Sequence, residues 1–458
     1  MRDVHAYVER GREAHVEELV AYVASRGVSA TGDGFPEATA YAVDLARRCG
    51  LDARAVPTAG RPAVVGHLRG DPAAPHVLIY GHYDVQPPGP LEEWHSPPFS
   101  ATARDGRLYG RGTGDNKGQH LAHLLALRML GELRGGPPCP VTVLLDGEEE
   151  VGSPNLAELA EAHRDELDAD LVVWSDGPVH ESGAPTVVFG VRGILSFELR
   201  ATGAAYPLHS GNWGGIGPNP AWRLVWLLAS MRAPDGAILV DGFDRGAAPL
   251  TTADRDALER LPVDLPATMA ALGVGELDVP AGRGYHERLA RPTLTINSLT
   301  CEDSGDHRTV IPSVAVAKCD VRLVGGMRSE DVAGALRRHV ERVAPTVELT
   351  VTRGIMEPSR TALDSPHTTA VRAGAAAGLG EEPLLVPSLG GSLPLHVFTG
   401  VLGLPCYGVP FANPDEANHA PNENIELRRF HAGIAASAGI LLELAARHRR
   451  PDVSGSPP

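Results

Sequence analysis

The stretches HVLIYGHYDVQPPG, residues 76–89, and DGRLYGRGTGDNKG, residues 105–118, decide how this chain folds. Val77 to Tyr80 is a short apolar run closed by Gly81, the pattern of a buried strand ending in a loop. His82 and Asp84 therefore stand where the strand stops. In doubly wound α/β sheets the ligand site lies beyond the carboxyl ends of the strands, so a His-x-Asp pair there suits a metal ligand backed by a carboxylate. Standing alone, such a pair also fits ordinary hydrogen bonding.

In the second stretch Gly110, Gly112 and Gly114 let the backbone turn tightly before Asp115. Asn116 then opens a helix whose apolar residues Leu121, Leu124, Leu125 and Met129 recur at helical spacing. Asp115 is thus a second carboxylate at a strand-to-helix turn. A phosphate-binding loop is excluded by residue order, because Lys117 precedes Gly118 and no hydroxyl residue follows. Lys117 itself reads as a solvated first-turn lysine.

Outward from this centre, Val4 to Val23 reads as an N-terminal helix ended by Gly27, and a second helix runs from about Pro36 to Cys49. Strand-like runs at 77–80, 141–145 and 171–174 alternate with helical segments, which predicts a mainly parallel sheet covered by helices. After Gly193 the pattern changes. A strand at 194–200, a helix capped by Asn219 with Pro220 behind it, strands at 293–299 and 314–323, a helix through Val332 to Val343 and a strand at 347–351 make a β-α-β-β-α-β order. That order marks a ferredoxin-like α+β module. It carries an Asp-, Pro- and Gly-rich insertion at about 233–291. From about Gly354 alternation resumes and ends on a helix through Leu427 to Leu444, with RRPDVSGSPP at 449–458 reading as a disordered tail. The expected division is a catalytic domain in two parts, 1–192 and 354–458, with a lid and dimerisation domain at 193–353.

A length of 458 residues calls for more than one core. A formal charge of −16, with no clustered Lys and Arg, argues against nucleic-acid and acidic-membrane partners. No apolar run approaches ~20 residues and the first residues lack a signal-peptide core, so a cytoplasmic enzyme is expected. The five scattered cysteines indicate neither a disulfide framework nor a cysteine zinc site.

Further ligand-type residues fall at the ends of strands. VTVLLD, 141–146, runs through Gly147 into Glu148, Glu149 and Glu150; a solvated acidic helix start is the simpler reading of the triplet taken alone. LVVWSD, 171–176, ends in Asp176, and ANHAPNENI, 417–425, places His419 in a polar loop. Two histidines and three carboxylates can hold two divalent cations about 3.5 Å apart if one aspartate bridges them, and such a pair activates water and polarises a carbonyl. A further carboxylate is then needed to move the proton.

In order and spacing, GHYDVQP, GRGTGDNKG, GEEEVGS, SDGP, LHSGNWGG and NHAPNE resemble the aminoacylase, carnosine-dipeptidase and carboxypeptidase G family of dinuclear metallopeptidases, metallopeptidase family 20, and its dipeptidase branch most. The resemblance covers nearly the whole chain. It implies that His82 and Asp176 bind one metal, Glu150 and His419 the other, and that Asp115 bridges both. It implies Glu149 as general base and acid for a bridging hydroxide, Asp84 as the partner that orients His82, Glu148 as a bystander, and a cis peptide after Asp115. It also makes His209 a lid histidine that stabilises an oxyanion, in the active site of a partner subunit. Arg322 in AKCDVRLV matches an arginine that grips the substrate carboxylate, and Thr309, Gly391 and Ser392 match substrate-contacting positions. The implied protein is a homodimer with two divalent cations per subunit, zinc by ligand type, with manganese or cobalt also suited. Two positions depart from the pattern: Pro207 and Leu389 stand where dipeptidase relatives often carry aspartate and glutamate. The expected reaction is hydrolysis of a dipeptide or similar small amide with a free carboxylate. The alternatives are an N-acyl or N-carbamoyl amino acid as substrate, or a retired binding protein, which would call for a damaged ligand set that this sequence does not have.

Overall fold

A computed structural model describes residues 1–278, 284–301, 309–352 and 354–448. The tail expected to be disordered, 449–458, lies outside the described residues.

The larger sheet has eight strands in the order Asp52–Val56, Ala63–Leu68, Val141–Asp146, Val77–His82, Leu171–Trp174, Cys406–Gly408, Thr186–Val188 and Leu384–Val386. Its centre, from Val141–Asp146 to Cys406–Gly408, is parallel, and the mainly parallel α/β reading holds. The two strands at one edge, Asp52–Val56 and Ala63–Leu68, run antiparallel. Every residue of Val77–His82, Val141–Asp146 and Leu171–Trp174 is buried, as expected of strands covered on both faces. On one face lie the helices Phe35–Arg48, Lys117–Arg134 and Leu427–His448, whose apolar sides share a cluster with Val77, Ile79, Val141 and Val143. The other face packs Leu78, Tyr80, Leu144 and Trp174 against Leu156, Leu159 and Phe398. Gly374 and Gly378 bring the helix Thr368–Leu379 against the final helix, since a Cβ on Gly378 would lie 2.2 Å from Ala436 Cα.

Register decides what this sheet presents. Val77 pairs with Val141 and with Leu171, and His82 with Asp146. The chains leaving these strands therefore emerge side by side at one edge.

The smaller sheet has the order Thr293–Cys301, Val314–Leu323, Gly193–Thr202, Val347–Val351, antiparallel throughout. With the helices Pro220–Met231 and Ser329–Val343 this is the ferredoxin-like arrangement expected from the element order. Gly193–Thr202 alternates buried and less buried residues, and its buried side joins Leu224, Leu227, Val332 and Leu336. Asn219 caps its helix by accepting from the N–H groups of Ala221 and Trp222.

Three expectations need correction. The N-terminal helix is two, Arg2–Arg10 and Arg12–Ala24, broken at Gly11. The acidic triplet is not a solvated helix start but a 3-10 turn, Glu149–Val151, whose N–H groups are held from elsewhere in the fold. Lys117 is fully buried: its ammonium donates to Tyr22 O and Ser25 Oγ, both at 3.0 Å, and to Arg26 O, so it ties the end of the second helix to the turn that carries Asp115.

Candidate metal centre and active site

The strand ends bring five of the sequence-predicted residues into two groups that share one member. His82, Asp115 and Asp176 form one, and Asp115, Glu150 and His419 the other. His82 Nε2 lies 3.1 Å from Asp115 Oδ1 and 3.4 Å from Asp176 Oδ2. His419 Nε2 lies 3.0 Å from Asp115 Oδ2 and 3.1 Å from Glu150 Oε2. Asp115 thus turns one oxygen to each histidine, the arrangement a bridging carboxylate requires. The peptide Asp115–Asn116 is cis, and His419 sits at φ 57°, a conformation held only where surroundings impose it.

The donors fit divalent cations. Buried His82 Nε2 has carboxylate oxygens at close range yet no hydrogen-bond partner among the described residues. Imidazole and carboxylate donors suit Zn²⁺ and its neighbours. Burial, with the Asp115 charge acting the same way, pushes Glu150 up to about 7. Hydrogen bonding to Asp115, then to Glu150, holds the His419 imidazole up to about 10. A cation in this space would take over the role of that proton.

Supporting contacts hold the donors in place. Asp84, fully buried, spreads its carboxylate over the N–H groups of Glu149 at 3.2 Å and Glu150 at 3.1 Å, and its Oδ1 lies 3.3 Å from His82 Nδ1. The hydrogen bond of Nδ1 goes to the Asp84 carbonyl at 3.1 Å. One residue therefore orients the histidine and the acidic turn together. Glu148 turns away to Asn155, from whose Nδ2 it accepts at 2.6 Å.

Several residues given no role from sequence complete the site. Gln86 donates from its backbone N–H to Glu150 Oε1 at 3.1 Å and from its amide to Oε2 at 2.9 Å. Glu423, four residues after His419, is fully buried and accepts from the N–H groups of Gly112, Gly114 and Asp115 and from Arg111 Nη1 at 2.7 Å. It thereby shapes the glycine-rich turn that presents Asp115. Its sequence signal is weak: an acidic residue inside a quoted motif, with its partners 300 positions away.

Asp115, Glu149, Asp176 and His419 line one side of a cavity of about 560 Å³, with Gly391 and Ser392 on its wall. Burial pushes the Glu149 carboxyl well above the usual range, and the charges of Asp176, Glu150 and Asp115 add to this against His82. Arg322 Nη1 donates to Ser392 Oγ at 3.0 Å, while its guanidinium faces the adjoining cavity beside Arg192. Arg192 in turn binds Gly390 O through Nε and Nη2, at 3.0 and 2.8 Å, and fixes the Gly390–Ser392 loop. His209 and Thr309 are not brought to this cavity. His209 is exposed, its Nδ1 accepting from the Gly211 N–H, and the carbonyl of Thr309 accepts from Ser210.

The profile of Peptidase family M20/M25/M40 matches residues 78–443. The chain is 29% identical over 417 residues to the Beta-Ala-His dipeptidase of Rattus norvegicus, covering 89% of this chain and 84% of that one. It is 30% identical over 396 residues to the Cys-Gly metallodipeptidase dug1 of Schizosaccharomyces pombe, covering 84% and 83%. Among solved structures, the M20 family metallo-carboxypeptidase Sso-CP2 from Sulfolobus solfataricus superposes with a TM-score of 0.86 at 30% identity, covering 94% of this chain and 99% of that one.

Proposed function

The chain belongs to peptidase family M20/M25/M40, and from that premise we propose that it is a two-metal hydrolase of dipeptides with a free C-terminal carboxylate. The observation that carries the reading is the pair of donor groups sharing Asp115 on the side of a cavity that also contains a free glutamate. His82 and Asp176 would hold one divalent cation, Glu150 and His419 the other, with Asp115 between them. Zinc is the proposed metal, and manganese or cobalt could take its place. Such a pair polarises a carbonyl and makes water acidic enough to attack it near neutral pH.

The chain's own groups do the rest. Glu149, held by the Asp84 bond to its N–H, takes the proton of the attacking water and returns it to the leaving amine. Its buried carboxyl suits a group that must hold a proton for part of the cycle. Arg322, steadied by Ser392, grips the substrate carboxylate. Asp84 fixes the ring of His82, and Gly391 with Ser392 shapes the wall at the carboxylate end. The two curated relatives named above are dipeptidases, which does not favour the acyl-amino-acid alternative.

We further propose a cytoplasmic homodimer. No helix among the described residues is long and apolar enough to cross a membrane. The ferredoxin-like unit, 193–353, would serve as lid and dimerisation domain on the catalytic unit, 1–192 and 354–458. Stacked Trp222 and Trp226, 55% and 63% exposed, lie on its helix Pro220–Met231, where a second copy would cover them; the same association would carry His209 and Thr309 toward a neighbouring cavity.

The test is dipeptide hydrolysis after chelation and metal reconstitution, with metal content measured alongside. Activity should vanish with chelator and return with about two ions per chain. Glu149→Gln should lose roughly 10²–10⁴-fold in kcat with metal content unchanged. Turnover that survives chelation, or near-normal activity in Glu149→Gln, would overturn the reading.

A further inference from the structure

Buried guanidiniums are ordinarily paired with carboxylates, and Arg192 is not. It is 9% exposed, and among the described residues its side chain bonds only to Gly390 O, through Nε and Nη2. Its Nη1 makes no hydrogen bond there and is not closed off from solvent, so it opens to the cavity that Arg192 lines. Arg322 lines the same cavity. Ser392 takes its Nη1, and its Nε has only Asp320 Oδ1, 3.7 Å away, whereas Nη2 is unpaired and open in the same way. Burial holds the Arg192 guanidinium below its ordinary value, and the charge of Arg322 adds to this against Asp320.

The cavity has a volume of about 1280 Å³. Asp235, Asp278, Glu287 and Asp320 also line it, but among the described residues none forms an ion pair with Arg192; Glu287 binds Arg291 at 2.8 Å, and Asp320 stands by Arg322. Leu228, Leu294 and Ile296 supply apolar surface for methylenes. Leu289 lines this cavity and the metal cavity alike, and both arginines hold the Gly390–Ser392 loop on the wall of the metal cavity. A substrate carboxylate at Arg322 is therefore already in the cavity of Arg192. One α-carboxylate brings one negative charge, which answers Arg322. Arg192 is left a buried cation with unused donors, an unfavourable state that a second carboxylate relieves.

We propose that the chain prefers dipeptides whose C-terminal residue is acidic, aspartate or glutamate, with the side-chain carboxylate on Arg192 and the α-carboxylate on Arg322. The inference rests on the two-metal dipeptidase reading and its Arg322 clamp. A guanidinium binds a carboxylate through paired charged hydrogen bonds, whereas the amide of glutamine or asparagine brings no charge to answer it.

The experiment compares kcat/KM of the metal-reconstituted full chain on Ala-Glu against Ala-Gln and on Ala-Asp against Ala-Asn, pairs of nearly equal size. Each acid should exceed its amide on the order of tenfold to hundredfold, the worth of a charged hydrogen bond, and most of the difference should lie in KM. Arg192→Met should bring both ratios close to one, and Arg192→Lys, which keeps the charge, should retain part of them. A second measurement does not depend on turnover: calorimetry of the metal-free chain should show glutarate binding more tightly than butyrate, with the difference lost in Arg192→Met. Acid-to-amide ratios at or below one in the parent would overturn the preference and leave the dipeptidase reading standing. Ratios unchanged in both variants would overturn the assignment to Arg192. If no dipeptide is turned over with any divalent cation, the dipeptidase reading falls, and glutarate binding no tighter than butyrate would then remove the anion site as well.

Discussion

Replacing Glu423 should weaken this protein far more than its place in a loop suggests. Its carboxylate is fully buried and receives Arg111 Nη1 at 2.7 Å together with the N–H groups of Gly112, Gly114 and Asp115 at 2.9–3.0 Å. Glu423→Ala leaves the Arg111 guanidinium, 1% exposed, with only long contacts to Pro87 O and Ala420 O at 3.3 and 3.4 Å. Removing one partner of a buried ion pair costs about 3–5 kcal/mol. The double substitution Arg111→Met with Glu423→Leu separates two causes. An ordinary buried pair replaced by apolar groups comes out nearly neutral. Here the three backbone N–H groups stay buried and unpaired, at about 1–3 kcal/mol each, so the double variant should still lose about 3 kcal/mol or more. Urea unfolding of the metal-free variants, at unchanged m-value, measures both. Divalent-ion affinity should fall about 10–100-fold in parallel, because the turn that presents Asp115 is no longer held. A double variant within about 1 kcal/mol of the parent would refute the reasoning.

Other outcomes follow from the same geometry. Arg322→Ala should raise KM for free-acid dipeptides by roughly tenfold to hundredfold, the loss of a charged hydrogen bond, with a smaller change in kcat; equal handling of a dipeptide and its C-terminal amide by the parent would remove the clamp. Hydrogen bonds from Arg54, then His67, lower Glu166 to about 2 against an ordinary 4.5, so its stabilisation is full above about pH 4.5 and lost as pH falls toward 2. Glu166→Gln should therefore flatten the acid limb of the stability profile by about 1 kcal/mol, given that Arg54 is half exposed; an unchanged limb counts against the pair. Trp226→Glu should dissociate the proposed dimer in sedimentation experiments, and a parent that is monomeric at micromolar concentration would show that the tryptophan face serves something else.

Much of this architecture was legible in one dimension because its signals are local. Alternation of apolar runs with helical spacing marks the parallel sheet, and the β-α-β-β-α-β order marks the second unit. His82, Asp115, Glu150 and Asp176 can be placed from sequence just after an apolar strand or a glycine-rich turn, whereas His419 stands in a polar loop, and the grouping of all five as a ligand set is implied only by the family resemblance. Lys117 shows where this fails. A lysine in a first turn looks solvated until the carbonyls of Tyr22 and Arg26, over 90 positions earlier, are brought around it.

The sequence by itself determined which residues stand at strand ends, and hence which chemistry the chain can carry. Only the tertiary structure decided which of them meet. Pairing Val77 with both Val141 and Leu171 sets three strand ends level, and the Glu423 carboxylate fastens the turn that bears Asp115 to the loop that bears His419. The same holds for the second apolar cluster of the large sheet, where Leu258 and Leu261 from the insertion meet Val386 from the far edge strand. Burial is a sum over contacts between distant segments, and no local pattern of residues encodes that sum.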